Sequence, residues 1–138
     1  MIGKETASRT IQRLGTPDPE VIAGREGLPI ATIDLGATRF RELFVPPVIF
    51  IPVDFTPVER RSLLAHALGH HYLHDCNQVW LRGFDRIWNW KQERQAEEFA
   101  AWLLIPEACT PDLVGLTVAE VAAGHDVDLK LAGIRLGL

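Results

Sequence analysis

Two histidines four residues apart, His66 and His70, are the residues of this sequence best suited to chemistry. Side chains at this spacing lie on one face of a helix with Cβ atoms about 5–6 Å apart, so both imidazoles can reach one metal ion. Zinc binds nitrogen and oxygen ligands tetrahedrally, and a catalytic zinc site has three protein ligands and one open position. The pair therefore predicts two ligands and requires a third from another element.

The predicted third ligand is Glu93, which begins a second segment with helical spacing. One face of that helix would carry Glu93, Ala96, Glu97, Ala100, Ala101 and Leu104. The alanines would allow the two helices to approach closely, so that a carboxylate oxygen of Glu93 completes a Zn²⁺ site with the histidines. Glu97 lies one turn later and would orient a ligand by accepting the free ring N–H of His66 or His70.

Other residues near the pair are weaker candidates. His74 lies one turn beyond His70, but three ligands in line on a straight helix cannot easily close around a tetrahedral ion. We expect His74 either to orient a ligand or to be exposed. His71 points about 100° away from His70 around the helix and is not a predicted ligand. Cys76 offers a thiolate, although a thiol without a role in the site is the simpler interpretation, and a chance histidine pair that binds no metal is the alternative to the whole site.

The residue after the first histidine limits catalysis. In the zinc-peptidase signature H-E-x-x-H a glutamate at this position is the general base, whereas this chain has Ala67. A methyl group cannot accept a proton, and general acid–base catalysis typically contributes about 10²–10⁴ in rate. Because the glutamate is not a ligand, the sequence predicts a metal site that is intact but nearly inert. A deliberate Glu-to-Ala replacement and a natural pseudo-enzyme would both give this residue.

The composition predicts one globular domain over residues 1–138. The chain is 47 % hydrophobic and 23 % charged, which is ordinary for a soluble domain. A formal net charge of −4 argues against nucleic acid as the main partner. Two cysteines make no disulfide framework. Neither a signal peptide nor an apolar run long enough to span a membrane is visible, so we expect a cytoplasmic protein.

The first half of the chain predicts short helices followed by strands. One helix should end at Gly15, and a second should run from about Pro19 to Glu26. The segments "LPIATIDL", "RFRELFV" and "PPVIFIPVDF" are rich in β-branched and aromatic residues and predict two or three short strands. Their prolines indicate an edge strand or the ends of strands.

The second half predicts helices. Thr56, followed by proline and then by Glu59, has the pattern of a capping box at the start of a helix over about residues 57–74. The helix that carries Glu93 should stop at Pro106, and the connection between these helices contains Trp80 and Trp88, with Trp90 at its end. These tryptophans are either core anchors or part of a peptide-binding surface.

The C-terminal tail has the pattern of two short helices joined at Gly124. Thr117 would cap the first helix and Asp128 the second. The pattern is similar to a DNA-binding helix-turn-helix. With Lys130 and Arg135 as its only basic residues, a hairpin that packs on the rest of the protein is the favoured interpretation.

Two motifs resemble the ImmA/IrrE family of metallopeptidases. They are "RRSLLAHALGHHYLH", which contains the histidine pair, and "ERQAEEFAAWLLIP", which contains Glu93. The resemblance implies an α+β minigluzincin fold, with a small twisted β-sheet packed against an active-site helix and a glutamate helix. It also implies zinc ligation by His66, His70 and Glu93, with Glu97 at a position usually held by asparagine.

The same resemblance implies a function. Family members cleave helix-turn-helix transcriptional regulators, or otherwise relieve repression by them. We therefore expect a zinc-dependent metallo-endopeptidase of this type, inactive in the present form because of Ala67. The alternative is a non-catalytic module that contains zinc and binds a regulator through surface contacts. Cleavage after Ala67→Glu would distinguish the two.

Overall fold

A computed structural model describes residues 2–34, 43–45, 48–74 and 90–138. Its elements are α1 (Ile2–Leu14), α2 (Pro19–Arg25), β1 (Ile30–Ile33), β2 (Leu43–Val45), β3 (Val48–Pro52), α3 (Pro57–Leu73), α4 (Trp90–Leu104), a 3₁₀ helix (Glu107–Leu113), α5 (Val118–His125) and α6 (Leu129–Arg135). The predicted α+β class is confirmed.

The three strands form one small mixed sheet in the order β1-β3-β2. β1 pairs with β3 in parallel, with Ile30 opposite Ile49, and β2 pairs with β3 in antiparallel orientation. Alternate residues of β3, Ile49 and Ile51, are buried in the core, as expected for a strand with one face against helices. Because β3 is the central strand and ends at Pro52, the strand-end interpretation of this proline is confirmed.

α3 is the central helix of the fold. Thr56 Oγ1 accepts the N–H of Glu59, and the N–H of Thr56 donates to the Glu59 carboxylate, so the predicted capping box is confirmed. Every residue from Ser62 to His70 is buried. A helix that is covered on all sides belongs to the core, and the neighbours of α3 are α1, α2, β3 and α4. Polar side chains in its middle turns therefore lie in a largely dry environment.

The two helices of the tail form the predicted hairpin, but the joint differs from the prediction. Gly124 lies inside α5, and the chain turns at Asp126, which has φ of 53°. The N–H groups of Asp126 and Val127 both donate to the Ala122 carbonyl, and Val127 is buried. A buried apolar residue directly after a left-handed residue is typical of this helix end, so burial of Val127 fixes the turn.

The tail packs on α4 through α6. Arg135 is only 5 % exposed. Its Nε donates to the Ile105 carbonyl at 2.6 Å and one terminal nitrogen donates to Thr110 Oγ1 at 2.7 Å. The guanidinium lies 3.6 Å from the ring centroid of Trp102. One of the two basic residues of the tail is thus a buried packing residue. Among the described residues, no helix is long and apolar enough to cross a membrane.

Candidate metal centre

Two helices bring His66, His70 and Glu93 together. Nε2 of His66 lies 3.1 Å from Nε2 of His70. Glu93 contacts both rings, because its Oε2 is 3.0 Å from Nε2 of His66 and its Oε1 is 2.9 Å from Nε2 of His70. One ligand atom from each residue lies within 4.8 Å of the other two. The three predicted ligands therefore converge at one point.

Close contact between α3 and α4 produces this convergence. Gly69 faces Ala96, and a Cβ atom at Gly69 would lie 2.8 Å from the Ala96 carbonyl oxygen. Real Cβ atoms do not approach backbone this closely, so only glycine allows the two helix backbones to be so near. His70 follows Gly69 directly, and Glu93 lies one turn before Ala96. The contact therefore places the histidines and the carboxylate opposite each other.

Burial and ionic contact together set the protonation of these groups. His70 is 2 % exposed, and burial lowers its pKa from the ordinary 6.5 to about 4, against the raising effect of its hydrogen bond with Glu93. Burial tends to raise the pKa of Glu93, but hydrogen bonds with His66 and His70 outweigh it and hold that pKa well below 4.5. At neutral pH the site thus presents a neutral His70 imidazole and a carboxylate, the protonation states that bind a metal ion.

The donor set has the chemistry of a zinc site, and its groups lie close together. Zn²⁺ bonds to His nitrogen and carboxylate oxygen are about 2.0–2.2 Å long, so neighbouring donors around a tetrahedral ion are about 3.3 Å apart. The two ring nitrogens are 3.1 Å apart, and each lies 2.9–3.0 Å from a different oxygen of the Glu93 carboxylate. Small shifts of the side chains would bring these atoms to the separation that the ion requires. Two imidazoles and one carboxylate would give the three protein ligands of a catalytic zinc site, in which a fourth position is open to water or substrate.

Comparison with known protein families agrees with this geometry. Residues 24–110 match the model of Peptidase_M78, the IrrE N-terminal-like domain, over well over half of the chain. The chain belongs to this family. The predicted ImmA/IrrE membership is confirmed, and metallopeptidase is the class of activity that it indicates. A search of curated proteins gives no match.

Ala67 occupies the position at which the zinc-peptidase signature has glutamate. Its side chain is a buried methyl between His66 and Leu68 on α3. No proton can be taken up at this position, whereas the three converging side chains beside it are all present. Two imidazoles and a carboxylate therefore converge beside a residue that cannot accept a proton.

His74 and His71 diverge from one another on the last turn of α3. The His74 ring lies 5.3 Å from that of His70, and its Nε2 donates to the Gln92 carbonyl at 3.1 Å. Burial lowers the pKa of His74. His71 instead has its Nε2 3.7 Å from a carboxylate oxygen of Glu26. His74 thus packs beside His70 and contacts the start of α4, and an orienting role for it stays a prediction.

Glu97 has a partner that the sequence did not indicate. Its Oε1 lies 2.5 Å from Nζ of Lys130, the second residue of α6. Glu97, Lys130 and His66 line the same cavity beside the metal centre. An orienting bond from Glu97 to a ligand histidine stays a prediction. Nothing in the local pattern could have placed Lys130 here, because the contact depends on how the tail packs against α4.

Several predicted contributors lie outside the described residues. Trp80, Trp88 and Cys76 belong to this group. Trp90, the first residue of α4, is described and is 82 % exposed, so it is not a core anchor. It lies one turn before Glu93 on the same helix.

Proposed function

We propose that this IrrE-like domain is a zinc-dependent metallo-endopeptidase by descent, with Zn²⁺ bound by His66, His70 and Glu93. The observation that carries the proposal is the mutual approach of two imidazoles and one carboxylate to within 3.1 Å. Two of these groups are buried and the third is half-buried, and metal ligation would offset the cost of desolvating them. Zinc held there would supply a Lewis acid that polarises a peptide carbonyl.

The chain's own residues would hold and orient the reacting groups. His66 and His70 come from a buried helix, so their rings have little freedom to move away. The carboxylate of Glu93 would lower the net charge of the loaded site. The neighbouring His74 ring would limit rotation of His70. These features support a site that forms before substrate arrives, which is what efficient positioning requires.

The present form is proposed to be nearly inactive, because Ala67 cannot act as the general base. Loss of this group would typically cost about 10²–10⁴ in rate while the metal remained bound. The proposed natural substrate is a helix-turn-helix transcriptional regulator, which places the activity in the cytoplasm. This substrate class is what the resemblance to the ImmA/IrrE family implies.

The test is restoration of the base in the zinc-loaded protein. Ala67→Glu should cleave a helix-turn-helix regulator encoded beside this gene, and the unaltered chain should not. Ala67→Gln is the matched control, since it adds the same volume without a base. Cleavage is followed by mass spectrometry of the regulator, with a chelator control. No metal-dependent cleavage by Ala67→Glu, or equal cleavage by Ala67→Gln, would contradict the proposal.

A non-catalytic regulator-binding module is the second candidate, and Ala67 is the observation that favours it. In that case the regulator binds equally well to the unaltered chain and to Ala67→Glu, and neither variant cleaves it. A direct DNA-binding role has less support. Arg135 is buried and Lys130 pairs with Glu97, so the two basic residues of the tail already have roles within the protein.

A further inference from the structure

A cavity of about 230 Å³ adjoins the metal centre. His66 lines it on the side of α3, and Asp128, Lys130 and Leu131 line it on the side of α6. The family match ends at residue 110, so the tail beyond the matched region forms one wall. A cavity of this size is small for a whole ligand, but it has room for one long side chain next to a metal-bound peptide.

Charge on the cavity wall is predominantly negative. Glu59, Glu97 and Asp128 contribute three carboxylates, and Lys130 contributes one ammonium group. Lys130 is in contact with Glu97 at 2.5 Å and balances its charge. Two carboxylates therefore remain to attract a cation. Each caps a helix through one oxygen, because Oε1 of Glu59 accepts the N–H of Thr56 and Oδ1 of Asp128 accepts a backbone N–H of α6.

The remaining surface of the cavity is apolar, apart from one hydroxyl group. The apolar side chains that line it belong to Phe55, Leu63 and Leu131. Ser62 also lines it and is 8 % exposed, and its hydroxyl oxygen is buried without a hydrogen-bond partner among the described residues. A buried hydroxyl with no partner carries a desolvation cost that a ligand could relieve. The lining thus suits a side chain with an aliphatic stem and a polar, cationic end.

We propose that this cavity binds an arginine or lysine side chain of the substrate, next to the peptide bond presented at His66, His70 and Glu93. The proposal rests on the proposed metallopeptidase function and adds the substrate preference of that site. The tail then helps to select the substrate through Asp128. An acidic side chain is disfavoured, because it would have to displace Glu97 from Lys130 and would face the carboxylates of Glu59 and Asp128.

The direct test uses small probes that anchor on the metal. The zinc-loaded protein is titrated by calorimetry with the N-acetylated hydroxamates of arginine, norleucine and glutamate. All three carry the same metal-binding group. Because arginine and norleucine have similar aliphatic stems, the difference between their affinities measures the contribution of the charged end. The arginine probe should bind about fivefold or more tightly than norleucine, and glutamate should bind most weakly.

Matched variants assign the preference to the cavity. Glu59→Gln and Asp128→Asn each remove one charge and retain a good helix cap. Each variant should reduce the ratio of the arginine affinity to the norleucine affinity by about two- to fivefold and leave the norleucine affinity unchanged. Glu120→Gln is the control, since it makes the same change in the capping box of α5, which does not line the cavity. It should leave all three affinities unchanged.

The possible outcomes separate this inference from the function on which it rests. If none of the hydroxamates binds the zinc-loaded protein, the proposed metal centre is wrong. If all three bind with equal affinity, or glutamate binds most tightly, the metal centre stands and the basic-side-chain preference is wrong. The preference is also wrong if Glu120→Gln reduces the arginine advantage as much as Glu59→Gln and Asp128→Asn do.

Discussion

The backbone of Gly69 in α3 lies directly against the backbone of Ala96 in α4. A Cβ at Gly69 would be 2.8 Å from the carbonyl oxygen and 2.9 Å from the Cα of Ala96. Both atoms belong to the main chain and cannot rotate away. This contact lies within one turn of both His70 and Glu93, so the separation of the two helices and the geometry of the candidate metal centre depend on the same residue.

Gly69→Ala should therefore push the helices apart. We expect a loss of about 1–3 kcal/mol in the free energy of unfolding, as for other overpacked core positions, together with weaker zinc binding. Gly133→Ala is the control, because this α6 glycine has no neighbour within 4 Å of the added methyl. It should stabilise the protein by about 0.5–1 kcal/mol. Urea denaturation measures both variants, and equal effects would contradict the steric argument.

Removal of the carboxylate ligand should weaken zinc binding more than it alters the fold. Glu93→Gln should lower the affinity by more than the 10–100-fold typical of losing an orienting contact alone. At zinc concentrations about 100 times the dissociation constant, the unaltered protein should gain about 2.7 kcal/mol of stability. The readout is calorimetric unfolding with and without zinc.

Glu98→Gln is the control for this substitution. Glu98 lies on the same helix and pairs with Arg94 at 3.3 Å, so its replacement should leave the zinc-dependent stabilisation intact. Equal stabilisation of Glu93→Gln and the unaltered protein by zinc would remove Glu93 from the ligand set.

The metal-free protein should lose stability as the pH falls from about 6.5 to about 4. Burial lowers the pKa of His70 to about 4, whereas the unfolded chain binds a proton near 6.5. Between these values the unfolded state holds more protons, so stability rises with pH. One such group contributes at most about 1.4 kcal/mol per pH unit.

The pH effect can be assigned to His70 by substitution. Urea denaturation of the metal-free protein at pH 7, 5.5 and 4.5 should show a shallower dependence in His70→Gln. His125→Gln, a change in α5, should retain the original slope. An unchanged slope in His70→Gln would show that other groups cause the dependence.

Replacement of the buried Arg135 by lysine should lower the free energy of unfolding. Arg135 stacks on Trp102 and donates to three acceptors, the carbonyls of Ile105 and Pro106 and the hydroxyl of Thr110. An ammonium group on a flexible stem cannot reproduce this set of contacts. Arg135→Lys should cost about 1–3 kcal/mol. Arg25→Lys is the control, because its exposed guanidinium donates to the Leu14 carbonyl, and it should change stability by less than about 0.5 kcal/mol. Equal losses would contradict the argument.

Local signals predicted much of the structure. The capping box at Thr56 gave the start of α3, and the stop at Pro106 placed the end of α4 correctly. The spacing of His66 and His70, together with the motif that contains Glu93, led to three residues that converge in space. These features could be predicted because helix caps and helix faces depend on residues only a few positions apart.

Contacts between distant segments could not be predicted in the same way. The turn of the tail lies at Asp126 and not at Gly124, because Val127 is buried against the rest of the protein. The pairing of Glu97 with Lys130 depends on how α6 packs against α4. Neither the turn at Asp126 nor the Glu97–Lys130 pair is visible in a short window of sequence, because both depend on packing in the folded protein.

The cavity beside His66 has walls with different origins. α3 and α4 carry the three converging side chains and lie within the family match, whereas α6 contributes Asp128 and Lys130 from beyond it. Residues on α6 can therefore be exchanged without touching any atom that would hold the cation. Substitutions on α6 should therefore change which side chain the cavity accepts and leave the candidate metal centre in place, so the tail is the place to engineer a new target.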